Sequence, residues 1–215
     1  MLYILSHELK YYFKNSHELL YIYGFYLLIM LIVPMGLQEQ LNLLPELAPA
    51  IIWIAIMASI GLGAASLFQR DAESGVMELY QQIPMGLGQV VLGKWLAFYL
   101  ATAMPIILFM PAIIMLFGLP VSHILHYAIG AATGTLAISI LASLIAVITI
   151  GLERARAVSL LMLLPLAVPV MIFGSEYLRR TEALWQPQLL FMLAFSLFLL
   201  PILCLAGASC IRASN

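Results

Sequence analysis

Six apolar runs, each near or above the length a helix needs to cross a bilayer, leave this chain little choice of fold. They extend from about Leu19 to Met35, Pro49 to Phe68, Trp95 to Phe117, Ile124 to Leu152, Ala157 to Phe173 and Gln188 to Ile211. A hydrocarbon core roughly 30 Å thick is spanned by about 20 helical residues. Six such helices use most of the 215 positions and leave short loops with no room for a separate catalytic domain. Composition agrees, because 64% of the residues are hydrophobic and only 9% charged, whereas a soluble domain carries about 25% charged residues. An all-α membrane protein with six transmembrane helices is expected, as a single domain over residues 1–215.

Charge orients the spans. Lys10, Lys14, Arg70, Lys94, Arg154, Arg156 and Arg212 fall on one face and Arg179 and Arg180 on the other. The positive-inside rule therefore predicts that both termini are cytoplasmic. Lys and Arg together number nine against ten Asp and Glu, and without a basic tract nucleic acid is not expected as a partner. No small-residue cleavage site follows the first apolar run, so no signal peptide is expected.

Before that run, residues 1–18 place Leu2, Leu5, Leu9, Tyr12 and Phe13 on one stripe with Lys10, Lys14 and His17 largely off it, which predicts an interfacial amphipathic helix. Gly174 to Pro187 predicts a short outer-surface or re-entrant helix, in which Glu176 pairs with Arg180 and Tyr177, Leu184 and Trp185 form an interfacial edge. Pro165 and Pro169 in the fifth span predict bends, as do Pro105, Pro111 and Pro201 elsewhere. Gly130 and Gly134 form a GxxxG that predicts close approach of another helix, and Gly61 and Gly63 read as packing glycines.

Chemistry-bearing constellations are scarce. Residues 88–94, GQVVLGK, have phosphate-loop spacing but lead into Trp95 in place of the Ser or Thr that would hold magnesium, and no strand precedes them. His123 and His126 could meet a metal or haem iron on one helical face, yet no carboxylate or Cys lies nearby in sequence. Cys204 and Cys210 match no metal or redox spacing and read as buried small apolar residues. No nucleophile triad or paired-carboxylate arrangement is visible. A non-catalytic chain with no catalytic residues, no metal site and no cofactor of its own is the expectation.

What remains is the segment from Arg70 to Lys94, RDAESGVMELYQQIPMGLGQVVLGK, which holds five of the nineteen acidic and basic residues. Val76, Leu79, Tyr80 and Ile83 recur at i, i+3, i+4, i+7 while Glu78, Gln81 and Gln82 face away, and Pro84 ends the pattern. A two-turn amphipathic helix is predicted, with Gly75 at its N-cap and Glu78 at N3. A polar-faced helix between two spans suits a membrane subunit that receives a push from a soluble motor; a simple surface loop is the alternative.

The pattern Arg70-Asp71-x-Glu73-x-Gly75-x-x-Glu78-Leu79, then Pro84, then Gly93-Lys94, resembles the loop between the second and third spans of type-2 ABC exporter permeases. Three further stretches narrow the resemblance to the haem exporter protein B family, the ABC permease subunit of the cytochrome c maturation (Ccm) system. These are residues 47–53, LAPAIIW, residues 164–174, LPLAVPVMIFG, and residues 211–214, IRAS. Met77, Arg70 and Leu136 depart from the family's usual leucine, acid and proline. The resemblance implies a partner set: a cytoplasmic ABC ATPase that binds ATP and docks around Asp71, Glu73 and Glu78, a tryptophan-rich membrane subunit that holds haem, a periplasmic haem chaperone and a second permease copy. In that family ATP hydrolysis is linked to haem export or to release of the haem-loaded chaperone. Arg70, Asp71, Glu73, Gly75, Glu78, Leu79 and Pro84 are the ATPase-coupling residues the resemblance implies. A type-2 exporter of another lipid, drug or glycan is the competing reading.

Overall fold

A computed structural model describes residues 2–14, 16–37, 41–82, 86–152 and 154–213. Among them the chain is helical without strands, and six helices are long and apolar enough to cross a membrane. Of the expectations above, Ile83, Pro84, Ser214 and the side chains of Leu2 and Gln81 lie outside the described residues.

Helix α1 (Leu2–Lys14) precedes the first span, α2 (Ser16–Gly36), and α3 (Leu44–Ala64) returns to the end where the chain began. Two short helices follow there, α4 (Ser66–Glu73), which continues the α3 span, and α5 (Val76–Gln82). The bundle is completed by α6 (Leu87–Leu116), α7 (Ile124–Ile148), α8 (Ala155–Arg179) and α9 (Pro187–Ala213). Both ends of the described chain thus lie at one end of the bundle, together with α4, α5 and the turn between α7 and α8.

Local chemistry sets the boundaries. Pro45 enters the first turn of α3 and Pro187 opens α9, positions where a missing N–H costs no helical bond. Helix α6 stops at Gly118, whose φ of 67° lets the Leu119 N–H reach back to the Ile114 carbonyl at 2.9 Å. Gly75, at φ 71°, separates α4 from α5 in the same way: its N–H donates to Ala72, and its carbonyl accepts from the Glu78 N–H. Only a glycine takes that conformation without strain, so two helices stand where a longer one would otherwise run on.

Helices α3 and α7 form the centre. Their apolar windows are 67% and 72% buried, against 28% for those of α2, α8 and α9, whose outer faces are left to lipid. Lipid tails are as apolar as leucine, so association inside the bilayer depends on close packing and interhelical hydrogen bonds. Trp95 donates to Ser139 at 3.1 Å and Tyr99 to the Ala132 carbonyl at 3.1 Å, joining α6 to α7. Thr149 and Ser159 share a hydrogen bond at 2.9 Å between α7 and α8, and Tyr23 of α2 donates to the Ala101 carbonyl of α6.

The glycines expected to pack do so. A Cβ on Gly130 would lie 2.7 Å from the Tyr177 ring, and one on Gly134 only 1.7 Å from Trp53. Gly174 of α8 meets the same indole at 2.4 Å, Gly61 meets Leu163, and Gly63 meets Ile22. Trp53 is fully buried between α7 and α8. Two of the stretches that carry the family resemblance, residues 47–53 and 164–174, therefore converge on one contact.

Two expectations change. The separate outer helix over residues 174–187 does not form: Gly174 to Arg179 continue α8, and residues 180–186 are irregular. Tyr177 is consequently buried, donating to the Leu184 carbonyl at 3.1 Å, although the Glu176–Arg180 pair forms and Leu184 and Trp185 are exposed as expected. On α1 the apolar stripe divides: Leu5, Leu9 and Tyr12 pack inward toward α6, while Phe13 is 72% exposed. Cys204 and Cys210 are half-buried free thiols. Pro165 and Pro169 sit within the unbroken run of α8.

Candidate functional site

At the end of the bundle that carries the termini, four charged side chains from three helices meet. Lys94 of α6 is completely buried, and its Nζ lies 2.7 Å from Glu8 Oε1 of α1 and 2.7 Å from Asp71 Oδ2 of α4. Glu8 and Asp71 are themselves only 4% and 5% exposed. Arg70 completes the group, with Nη2 at 3.2 Å from Glu8 Oε2, Nε at 3.8 Å from Asp71 Oδ1, and its guanidinium stacked 3.7 Å over the Tyr11 ring. Tyr80 of α5 adds a fourth helix by donating its hydroxyl to Asp71 Oδ2 at 2.9 Å.

Each partner reaches the cluster for a local reason. Glu8 lies within the Leu5, Leu9, Tyr12 stripe of α1, and Tyr12 packs against Phe98 one turn beyond Lys94 on α6. That contact seats α1 so that Glu8 faces the ammonium. Asp71 faces inward beside buried Leu67 and Phe68 on the packed side of α4. The turn at Gly75 then brings α5 back so that Tyr80 stands over the same carboxylate. On its other side α4 is tied to the turn after α7, where Gln69 accepts from the Gly151 N–H at 3.4 Å.

Two carboxylates and two cations balance, which is the condition for burying them at all. Removing an ion from water costs several kcal/mol even after relaxation, and only close, multiply bonded geometry offsets it. Burial first, and then the Asp71 carboxylate it bonds, push the Tyr80 phenol far above its ordinary pKa. Tyr80 therefore stays a donor at any physiological pH. The cluster holds no nucleophile beside a base. Among the described residues there is also no group of three or more His, Cys, Asp or Glu placed to hold a metal ion. What it can do is mechanical: Lys94 is shared between α1 and α4, so displacement of either helix is felt by the other.

The segment from Arg70 to Leu79 divides in two. Arg70 and Asp71 turn inward to the cluster, whereas Glu73, Gly75, Glu78 and Leu79 are exposed. Within α5 the apolar face differs from the expected one. Met77 and Tyr80 point inward, and Leu79, placed on the stripe by its spacing, is 56% exposed. With only seven residues, α5 is too short for periodicity to locate its inner face.

The decoys also resolve. Lys94, last residue of the phosphate-loop look-alike, is held by Glu8 and Asp71, and Gly88 packs against Cys204. The His126 ring stacks on Tyr177 at 4.1 Å, and its Nε2–H donates to the Tyr177 carbonyl at 2.8 Å, a structural contact between α7 and α8. Glu8, Lys94 and Tyr80 are the participants that the sequence did not assign to the site: Lys94 stood out only as the end of the loop pattern and Tyr80 only as part of an apolar stripe, while Glu8 had a signal of its own. That signal was a carboxylate set inside the apolar stripe of an amphipathic helix.

A bundle of six apolar helices, with a buried charge cluster where its short loop helices meet it, is the construction of an all-α membrane permease. The chain matches the CcmB protein family over residues 1–214 and belongs to that family. It is similar to the heme exporter protein B of Paracoccus denitrificans, 33% identical over 193 residues that cover 89% of this chain and 88% of that protein. The heme exporter protein B of Pseudomonas aeruginosa is 31% identical over 176 residues, 82% and 79% of the two chains. That of Escherichia coli K12 is 30% identical over 168 residues, 78% and 76%.

Proposed function

We propose that this chain is the permease subunit of a haem-exporting ABC complex in cytochrome c maturation, in a bacterial inner membrane with both termini cytoplasmic. Membership of the CcmB family over essentially the whole chain carries this reading. It is non-catalytic: ATP is hydrolysed by a separate cytoplasmic ATPase, haem is held by a tryptophan-rich membrane subunit, and a periplasmic chaperone receives it. A second permease copy completes the membrane part.

In this reading the two halves of the loop work in series. The exposed residues Glu73, Glu78 and Leu79 receive the ATPase, and Glu78, in the first turn of α5, also sits near the positive end of the helix. Tyr80, Asp71 and Arg70 pass a displacement of α5 inward to Lys94 on the third span and to Glu8 on α1. Lys94 begins the path into the membrane because α6 is continuous from Leu87 to Leu116.

The test is haem-peroxidase staining of membrane c-type cytochromes in a strain lacking the gene, complemented with wild type or with Glu78→Lys. Staining restored by wild type alone, with reduced co-purification of the ATPase on the variant, is expected. Normal cytochromes in the deletion strain would instead favour an exporter of another lipid, drug or glycan.

A further inference from the structure

A groove with a volume of about 350 Å³ opens between α2, the α3–α4 junction and the start of α8. Tyr21, Ile22, Phe25, Leu62 and Gly63 supply most of its wall, and Ser66 and Arg156 its polar edge. Its position is informative. Leu62 and Ser66 flank the end of α3, Arg156 is the second residue of α8, and Tyr21 lies little more than a turn inside α2. All belong to the end of the bundle that carries the termini, where the apolar spans give way to polar residues such as Ser66 and Arg156. Gly63 holds the groove shut behind: Ile22 packs where its Cβ would stand, at 2.3 Å, so α2 lies flush on α3 and the opening faces sideways, toward lipid.

Arg156 differs from its basic neighbours in the charge cluster. Arg70 and Lys94 are matched by Glu8 and Asp71, but among the described residues no carboxylate lies within ion-pair distance of Arg156. It stands in the first turn of α8, where main-chain N–H groups without helical acceptors add positive potential to its own. An apolar wall below and an exposed cation above match the two ends of one kind of molecule.

From this we infer that the groove is a binding site for an anionic phospholipid, with an acyl chain along Ile22, Phe25 and Leu62 and the phosphate-bearing headgroup at Arg156, within reach of the Ser66 and Tyr21 hydroxyls. Basic pockets between spanning helices select anionic headgroups by this combination. A zwitterionic lipid fits the apolar wall equally well, so discrimination comes from Arg156. The bound lipid fills the gap between α2 and α8, two helices with largely unpacked outer faces.

Native mass spectrometry of the full-length chain, released from nanodiscs containing equal phosphatidylglycerol and phosphatidylethanolamine, tests the site. Wild type should retain phosphatidylglycerol in preference to phosphatidylethanolamine by about fivefold, the scale of one basic residue at a membrane surface. Arg156→Gln should erase the preference, while Arg212→Gln, an exposed arginine at the same end on α9, should keep it. Ser66→Trp, which fills the groove and leaves Arg156 in place, should lower retention of both lipids. Equal retention of the two lipids by wild type, or equal loss of preference in the Arg156 and Arg212 variants, overturns the inference. So does a disulfide-linked dimer formed through Tyr21→Cys in the same nanodiscs, which would show a second copy of the chain occupying the groove.

Discussion

The two ends of the bundle are held by opposite means. At the end carrying the termini, Glu8, Arg70, Asp71 and Lys94 interlock α1, α4 and α6 by charge. Toward the other end, Trp53 sits in a slot cut by Gly134 and Gly174, and Tyr177 stacks on His126 while covering Gly130. The buried ion pairs link three helices through one shared ammonium, so a displacement of one helix is felt by the others. An indole wedged against two glycines has one seat, because a packed interior does not deform continuously. The charged joint therefore couples three helices to one another, and the aromatic joint fixes α3, α7 and α8 in register.

The largest effect should come from filling the aromatic slot. Gly134→Leu has no space to enter: its Cβ alone would stand 1.7 Å from the Trp53 ring, so the cost runs well past the about 1–3 kcal/mol of ordinary overpacking and the helices cannot close. We expect no monodisperse peak in fluorescence-detected size exclusion, and a normal peak would show that Trp53 can move aside. Next in size is Lys94→Met, which leaves Glu8 and Asp71 buried without their shared cation; breaking such a pair costs about 3–5 kcal/mol. A lowered melting temperature in detergent should accompany it. Adding Glu8→Leu should recover most of the loss, since Arg70 and Asp71 remain balanced. If the double variant is no more stable than the single one, the cluster is not a coupled unit.

Smaller still is His126→Ala. Loss of one interhelical hydrogen bond in a membrane costs about 0.6 kcal/mol on average, so only a modest drop in melting temperature is expected. Paired with His123→Ala, it should leave haem content of the purified complex unchanged, and loss of haem would make the aromatic end a ligand site. Glu78→Lys should alter stability least, by about 0.5 kcal/mol or less as for exposed substitutions generally, while reducing ATPase co-purification. A large fall in thermal stability would mean that Glu78 belongs to the fold.

Much of this molecule is legible in its sequence. Span number and the GxxxG packing follow from per-residue properties, hydropathy and side-chain size, that helix geometry converts into structure directly. The loop was legible in part. Its concentration of charge and the Gly75 break identified where to look, but not that Arg70 and Asp71 turn inward while Leu79 turns out. The continuation of α8 through Gly174 to Arg179 was hidden because charged and polar residues end the hydropathy signal before the helix itself ends.

By itself the sequence determined that the chain crosses a membrane as six helices: only helices and closed β-barrels satisfy the backbone in lipid, and continuous apolar runs of about 20 residues suit helices and not the alternating strands of about 10 residues that build a barrel. It also marked Gly75 as the start of α5, whereas α4 before it, and the φ of 71° that turns the chain between them, came from the structure. Only the tertiary structure decided who partners whom. Lys94 meets Glu8 across 86 residues and Arg70 meets Glu8 across 62. Such encounters depend on the angle and register at which whole helices pack. Two carboxylates and two cations have no fixed meaning along a chain; they become a joint only when packing removes water from all four together.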